Sequence, residues 1–343
     1  MSKPVVYFVR PGRALEGVGL MLERSGFFRR LKPKKKLGIK VHFGEAGNSN
    51  HLDPRFVQAA AIAASFHNLQ PVAIETTALY RGKRQNAASH VELAKEHGFG
   101  VEHTLTPIEI LDGDHGEKYY EVRLDSGQVP VARLAQGLRL YQYLINMAHF
   151  KGHFVTGFGG VLKNLSMGLA AKAGKLEMHS HSRPYVDTEQ CVSCGTCVEY
   201  CPAQAINFVQ YVAQIGRSCN GCGGCLAVCP QGAVRIKWNA ASGTIQAKMA
   251  EYARAALKGR EAFHFNFLLK VTPNCDCYPQ TEKPVTPDIG VFGSEDPVAC
   301  EQAAYQRVKD HIDRLYPHLG PEAVIEAAES LGIGTREYVL EKL

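Results

Sequence analysis

The chain has 343 residues, 45% of them hydrophobic and 21% charged, with 39 Lys and Arg against 33 Asp and Glu for a formal net charge of +6. This is the composition of a soluble globular protein long enough for two domains, and no apolar stretch reaches the length of a membrane span. The opening MSKPVVYFVRPGR has no apolar h-region before a cleavage site, so no secretory signal is expected.

Residues 1–183 alternate between strand-like and helix-like patterns. Pro4 to Val9 and Leu37 to Phe43 are short apolar runs, Phe56 to Phe66 has helical periodicity, and Val72 to Thr76 reads as a strand. Asn86 to His97 is an amphipathic helix closed by Gly98. Glu121 to Leu124 and Val129 to Ala132 are extended around a Ser126-Gly127 turn, and Leu134 to Leu144 reads as helical. Between the first two runs lie Arg29, Arg30, Lys32, Lys34, Lys35 and Lys36, which read first as a solvated loop and second as a docking patch for an acidic partner.

Two stretches carry polar chemistry. ETTALYRGKR, with Glu75, Thr76, Thr77, Tyr80, Arg81 and Arg84, follows a strand, where open α/β sheets bind ligands. HFKGHFVTGFGGVLKNLSMGLAAKAGKLEMHSHS is the densest. There Gly157, Gly159 and Gly160 read as a flexible loop, Val161 to Ala171 as the helix that follows, and Lys163 as a cation in its first turn. Free amides at such a junction can hold an anion. Lys151, His153 and Lys163 are the candidate catalytic residues, and Lys172, Lys175, His179 and His181 add further titratable groups. The spacing is not that of a Walker loop, so no nucleotide is implied. His179 and His181 read as surface or hydrogen-bonded residues before they read as a metal pair.

Next come eight cysteines in two copies of one spacing: Cys191, Cys194, Cys197 and Cys201, then Cys219, Cys222, Cys225 and Cys229, each run closed by a proline. This is the bacterial ferredoxin run written twice, and it predicts two [4Fe-4S] clusters. Because the fourth cysteine of each run crosses to the other cluster in such modules, the expected sets are Cys191, Cys194, Cys197 and Cys229, and Cys219, Cys222, Cys225 and Cys201. A zinc site would use one pair of knuckles, and a disulfide framework would need an exported chain. EQCVSCGTCVEYCPAQAINF repeats as RSCNGCGGCLAVCPQGAVRI, and each half lacks one ligand, so the halves must fold together. Gly195, Gly221, Gly223 and Gly224 suit backbone that hugs a cluster. So many reduced thiols imply a reducing cytoplasm, and exposed cubanes an oxygen-poor cell.

Beyond the repeat, Ala247 to Leu257 is helical, and Phe263 to Lys270 and Asp288 to Phe292 are strands. Asp296-Pro297 caps a helix to about Leu315, and another runs from Pro321 to Leu331. NCDCYP supplies Cys275 and Cys277, a pair open to a metal or redox role or to a plain role as loop-stabilising thiols.

The expected fold is therefore α/β: a mostly parallel sheet domain built from 1–183 and 239–343, with an α+β two-cluster ferredoxin-like domain inserted at 184–238. With about two negative charges on each oxidised cluster, the holoprotein falls to about +2, too little for a nucleic-acid surface. Two function classes remain. The first is an electron-transfer protein passing single electrons to a redox partner protein or to a site in its own α/β domain. The second is an oxidoreductase that reduces a small anionic substrate or cofactor held near Gly157–Lys163, with a histidine supplying the proton.

The motifs IKVHFGEAGN, ETTALYRGKRQNA, HFKGHFVTGFGGVLKNLSMG, NCDCYP and DIGVFGSEDPVA bracket the double cysteine run. In that order the chain resembles the prokaryotic iron–sulfur proteins grouped as domain of unknown function 362. The resemblance covers nearly the whole chain and implies an α/β domain interrupted by a two-cubane insert. It implies little about substrate.

Overall fold

The computed structural model describes residues 3–125, 127–179, 183–201, 203–219, 221, 223–237, 241–279 and 281–343. Eight strands make the main sheet: β1 (Val5–Val9), β2 (Lys36–Lys40), β3 (Gln70–Glu75), β4 (Ile108–Ile110), β5 (Tyr143–His149), β6 (Glu261–Leu268), β7 (Gly290–Ser294) and β8 (Val339–Lys342). Their order across the sheet is β8-β1-β7-β6-β5-β2-β3-β4. Only β7 runs against its neighbours, so the sheet is mostly parallel.

Such strands are buried on both sides, and β5 is buried along its whole length. Alternate side chains go to opposite faces. Tyr143, Ile145 and Met147 join the core beneath α1 (Ala14–Arg24) and α2 (Pro54–Phe66), while Leu144 and Ala148 join the other core. That second core contains α4 (Val161–Ser166), α6 (Ser242–Leu257), α7 (Pro297–Leu315) and α8 (Ala323–Ser330); α3 (Ala87–Glu96), α5 (Lys172–His179) and a single helical turn at Val101–Thr104 also belong to the main body. Asp296 caps α7 as its sequence suggests, accepting from the backbone N–H groups of Val298 and Ala299. The basic residues Arg29 to Lys35 are exposed. Arg30 pairs with Glu295 and Lys36 with Glu109 at 2.6 Å.

The expected helix over Leu134 to Leu144 does not form. Val131–Ala135 pairs with Tyr119–Arg123 as a hairpin, a 3-10 turn spans Gln136–Leu140, and the chain then enters β5. Buried Leu134, Leu138 and Tyr141 mimic a helical stripe in the sequence, but strand pairing and the close fit of Gly137 on the Leu111 backbone decide the local conformation. The helix expected over Val161 to Ala171 also stops early, at Ser166. Leu169 and Ala171 hydrogen-bond to the edge of the Val131–Ala135 strand instead. The glycine stretch is not a flexible loop, since Gly157–Gly159 pairs antiparallel with Lys151–His153.

Among the described residues, the strands of segment 185–236 pair only with one another. Tyr185–Val186 pairs with Val234–Arg235, and Ile206–Val209 with Val212–Ile215. Two short helices, Thr196–Glu199 and Gly224–Val228, each follow a glycine in the left-handed region, Gly195 at φ 81° and Gly223 at φ 73°. The sequence repeat is thus a repeat of backbone conformation. Cys197, Cys225, Ile206, Ala213, Leu226 and Val234 share one small apolar cluster. Among the described residues no helix is long and apolar enough to cross a membrane.

Candidate functional site

After β2 the chain moves outward to β3 and β4, whereas after β5 it moves the other way to β6. The sheet therefore reverses its winding between β2 and β5, and the crevice beyond the carboxyl ends of strands at such a reversal is where ligands bind in open α/β sheets. A cleft of about 540 Å³ opens there.

Its floor is a buried polar network. Lys40, the last residue of β2, donates to Glu75 Oε1 at 2.6 Å, Asn164 Oδ1 at 2.7 Å and the Val41 carbonyl at 3.2 Å, which uses all three ammonium protons. Glu75 also accepts from Arg84 Nη2 at 3.4 Å. Burial alone would raise the Glu75 carboxyl, yet Lys40 and Arg84 bring it down to about 2. Asn164 in turn donates to Asn146 Oδ1 at 2.7 Å and to the Met147 carbonyl at 3.1 Å, tying α4 to β5.

The three candidate catalytic residues meet here: Lys151, His153 and Lys163 all line the cleft. Lys151 pairs with Asp276 Oδ2 at 3.1 Å, while His149 holds the same carboxylate at 2.9 Å. Against the effect of burial, His149 and Lys151 lower the Asp276 carboxyl far below the usual range. His153 Nδ1 accepts the backbone N–H groups of Val155 at 3.3 Å and Thr156 at 3.2 Å, leaving the ring proton on Nε2. Burial, then Lys163, push the ring well below its ordinary value. His179 falls to about 3 through burial. Both shifts favour the neutral ring. Burial lowers Lys175 to about 8, with its ammonium on Thr76 Oγ1 at 2.7 Å and the Ala170 carbonyl at 2.5 Å. Arg84 and Lys175 line the cleft beside Lys151 and Lys163, against one lining carboxylate, Glu75, among the described residues.

Two further expectations are corrected. The helix N-terminus at Gly160 is not free for a ligand, because Glu301 already accepts from Val161 N at 2.8 Å and Leu162 N at 3.0 Å. Arg81 does not reach the cleft. It donates to the Pro230 carbonyl at 3.1 Å on segment 185–236, as Gln85 does to the Leu226 carbonyl at 2.8 Å. Tyr80 does line the cleft, as do Cys275 and Cys277. His181 lies outside the described residues.

The cysteine runs sit beside this cleft. Cys191, Cys194, Cys197 and Cys229 line one recess, together with Gly195, Phe208 and Ala213. Their nearness raises the Cys197 thiol, after burial, through Cys229, Cys194 and Cys191. In both halves of the repeat a backbone amide donates to the fourth sulfur: Ala205 N to Cys201 Sγ at 3.2 Å and Ala233 N to Cys229 Sγ at 3.2 Å. Cys225 lies in the small apolar cluster with Cys197, Cys201 packs against it and Cys219 is half-buried, whereas Cys222 lies outside the described residues. Leu79 belongs to that cluster and also lines the cleft, so one side chain spans the two sites. Among the described residues no group of three or more His, Cys, Asp or Glu could hold a metal ion.

The fold and cleft define an open α/β protein with a cationic cleft at its winding reversal. The chain belongs to the family described as Domain of unknown function (DUF362), which matches residues 37–306. No curated protein matches it. Among solved structures it is similar to the lactate racemase apoprotein from Thermoanaerobacterium thermosaccharolyticum, at 14% identity and TM-score 0.38 over 77% of this chain and 50% of that one. A structural-genomics protein from Thermotoga maritima is similar at 11% identity and TM-score 0.44, over 88% of this chain and 59% of that one. The chain thus spans less than two thirds of either structure's length.

Proposed function

We propose that the chain is an iron–sulfur electron-transfer protein that carries two [4Fe-4S] clusters and passes single electrons to a small anionic molecule in its own cleft. The observation that carries this reading is the meeting of Cys191, Cys194 and Cys197 from one half of the repeat with Cys229 from the other in a single recess. The donors fit the group. A cubane takes one thiolate per iron, so its sulfurs surround a cluster and not a single ion. The amides of Ala205 and Ala233 lie within hydrogen-bonding reach of sulfur, an arrangement that tunes such sites. Cys201, Cys219, Cys222 and Cys225 would hold the second cluster. When bound, the clusters supply electrons one at a time.

The cleft residues support an acceptor inside the chain. Leu79 stands between the cysteine segment and the cleft. Arg84, Lys151, Lys163 and Lys175 give the cleft the field that attracts an anion, and Lys175, near 8, holds a proton it can release as negative charge builds on the bound molecule. Electrons would enter from a redox partner protein at the face where Val192, Phe208, Val209 and Tyr211 are exposed.

The test is anaerobic purification followed by iron and sulfide analysis and electron paramagnetic resonance. About eight irons per chain and a paramagnetic signal after dithionite are expected, and Cys194→Ala should lose about half the iron. Colourless protein containing zinc, or a full iron complement in Cys194→Ala, overturns the reading.

A further inference from the structure

Cys275 and Cys277 lie in the cleft but outside the ligand sets assigned above. Residues 275–278 form a tight turn closed by Tyr278 N donating to the Cys275 carbonyl at 2.9 Å. In such a turn, residues two apart bring their Cα atoms to about 5.5 Å given steps of about 3.8 Å, inside the span a disulfide bridges. Each thiol is the largest influence on the other, lowering Cys275 and raising Cys277. Asp276 between them turns away into His149 and Lys151, which fixes the turn and leaves both sulfurs facing the cleft. Lys163 Nζ lies 3.6 Å from Cys275 Sγ. Cys300 shows the contrast: it is wholly buried against the His264 and Phe292 carbonyls and packs as an inert thiol.

We propose that Cys275 and Cys277 form a two-electron thiol–disulfide couple in the cleft whose substrate is a small anionic disulfide. The Cys277 thiol, with Lys163 and Lys151, favours the thiolate of Cys275. That thiolate attacks one substrate sulfur; the substrate S–S bond breaks, and one half leaves as a thiolate. The Cys277 sulfur then attacks Cys275 Sγ and displaces the second half, and the Cys277 proton passes to a leaving thiolate. One substrate disulfide becomes one thiolate and one thiol, and the protein gains one disulfide. Two electrons and one proton restore the starting thiolate and thiol. A lone nucleophile would need only one sulfur; a second within reach serves to resolve a mixed disulfide. The cations Lys163 and Lys151 suit both the acidic substrate and its departing thiolates. Only the resetting electrons rest on the iron–sulfur reading.

The experiment treats the anaerobic full-length protein with oxidised glutathione, an anionic disulfide, or with cystamine, a cationic one. Free thiols are then alkylated, and mass spectrometry follows the proteolytic peptide that carries Cys275 and Cys277 but not Cys300. An internal Cys275–Cys277 disulfide is expected, forming at least about tenfold faster with oxidised glutathione. Cys277→Ser should stall as a glutathione adduct on Cys275, and Lys163→Gln should slow attack at neutral pH by about tenfold, the effect of moving a thiol by one pKa unit. Two thiols that stay alkylatable in the wild-type chain, or a faster reaction with cystamine, overturn the proposal without recourse to a variant. If the disulfide forms but dithionite resets it no faster in the cluster-loaded protein than in the apoprotein, the couple stands and the electron-delivery reading fails.

Discussion

Replacing Lys40 by methionine tests the floor of the cleft. Lys40 and Glu75 are 0% and 2% exposed at the side chain and lie 2.6 Å apart, so removing the cation leaves a buried carboxylate held by the Thr76 N–H at 2.8 Å and by Arg84 at 3.4 Å. The fall of the Glu75 carboxyl from 4.5 to about 2 corresponds to about 3 kcal/mol of preference for the charged form. Breaking a buried pair from one side costs about 3–5 kcal/mol, since an unpaired charge is left behind. The pH dependence follows from the sign of each shift. In the wild type the Glu75 contribution is present above about 4.5 and is lost as pH falls toward 2. In Lys40→Met, burial raises the same carboxyl, so the variant gains on acidification what the wild type does not. The stability gap should therefore be widest near neutrality and shrink toward pH 5. Urea midpoints followed by circular dichroism at both pH values measure it, and Lys40→Met/Glu75→Gln should recover part of the loss, because it removes both charges of the pair but leaves buried Arg84 without its carboxylate. A gap below about 1 kcal/mol, or one that does not change with pH, would refute a buried pair at this position.

Lys175 should react with a small amine-labelling reagent at half its limiting rate near pH 8, well below the surface lysines near 10.4. Titration together with the surface set would remove it as proton donor. Because its folded value is lowered, its burial weakens the fold below about 8, and that penalty is relieved as pH rises toward 10.5. A Cβ at Gly152 would collide with the Pro273 carbonyl and reach the Tyr316 ring at 3.1 Å. Gly152→Ala should thus cost about 1–3 kcal/mol and displace Lys151 and His153, whereas Gly243→Ala, with nothing within 4 Å, should be neutral or stabilising by up to about 1 kcal/mol. Equal urea midpoints for the two variants would contradict the packing described.

The main strands were legible because buried parallel strands are short apolar runs, and α7 because Asp296 and Pro297 mark its start. The first helix was not singled out. ALEGVGLMLER carries two glycines, and the reason for Gly17, its seat on the Val9 side chain, exists only after folding. In the cleft, Lys151, His153 and Lys163 stood out through local density. Lys40 did not, because a lysine ending KLGIK reads as the polar end of a strand until β3 brings Glu75 beside it from 35 residues away. Glu301 was invisible in the same way. It reaches back 140 residues to occupy the amide of Val161, which is why a glycine-rich helix start suggested an open anion site where the protein supplies its own carboxylate.

That occupied helix start narrows what the cleft can hold. Glu75 is shared by Lys40 and Arg84, and Asp276 engages Lys151, so two carboxylates offset two of these three cations. Among the described residues Lys163 and Lys175 have no carboxylate partner: Lys163 lies beside the Cys275 sulfur, and Lys175 rests on a hydroxyl and a carbonyl. Two ammonium groups thus lie in the cleft outside any ion pair among the described residues, one next to a sulfur and one lowered by burial to about 8. A small acid that reacts at sulfur and is protonated as it leaves uses both.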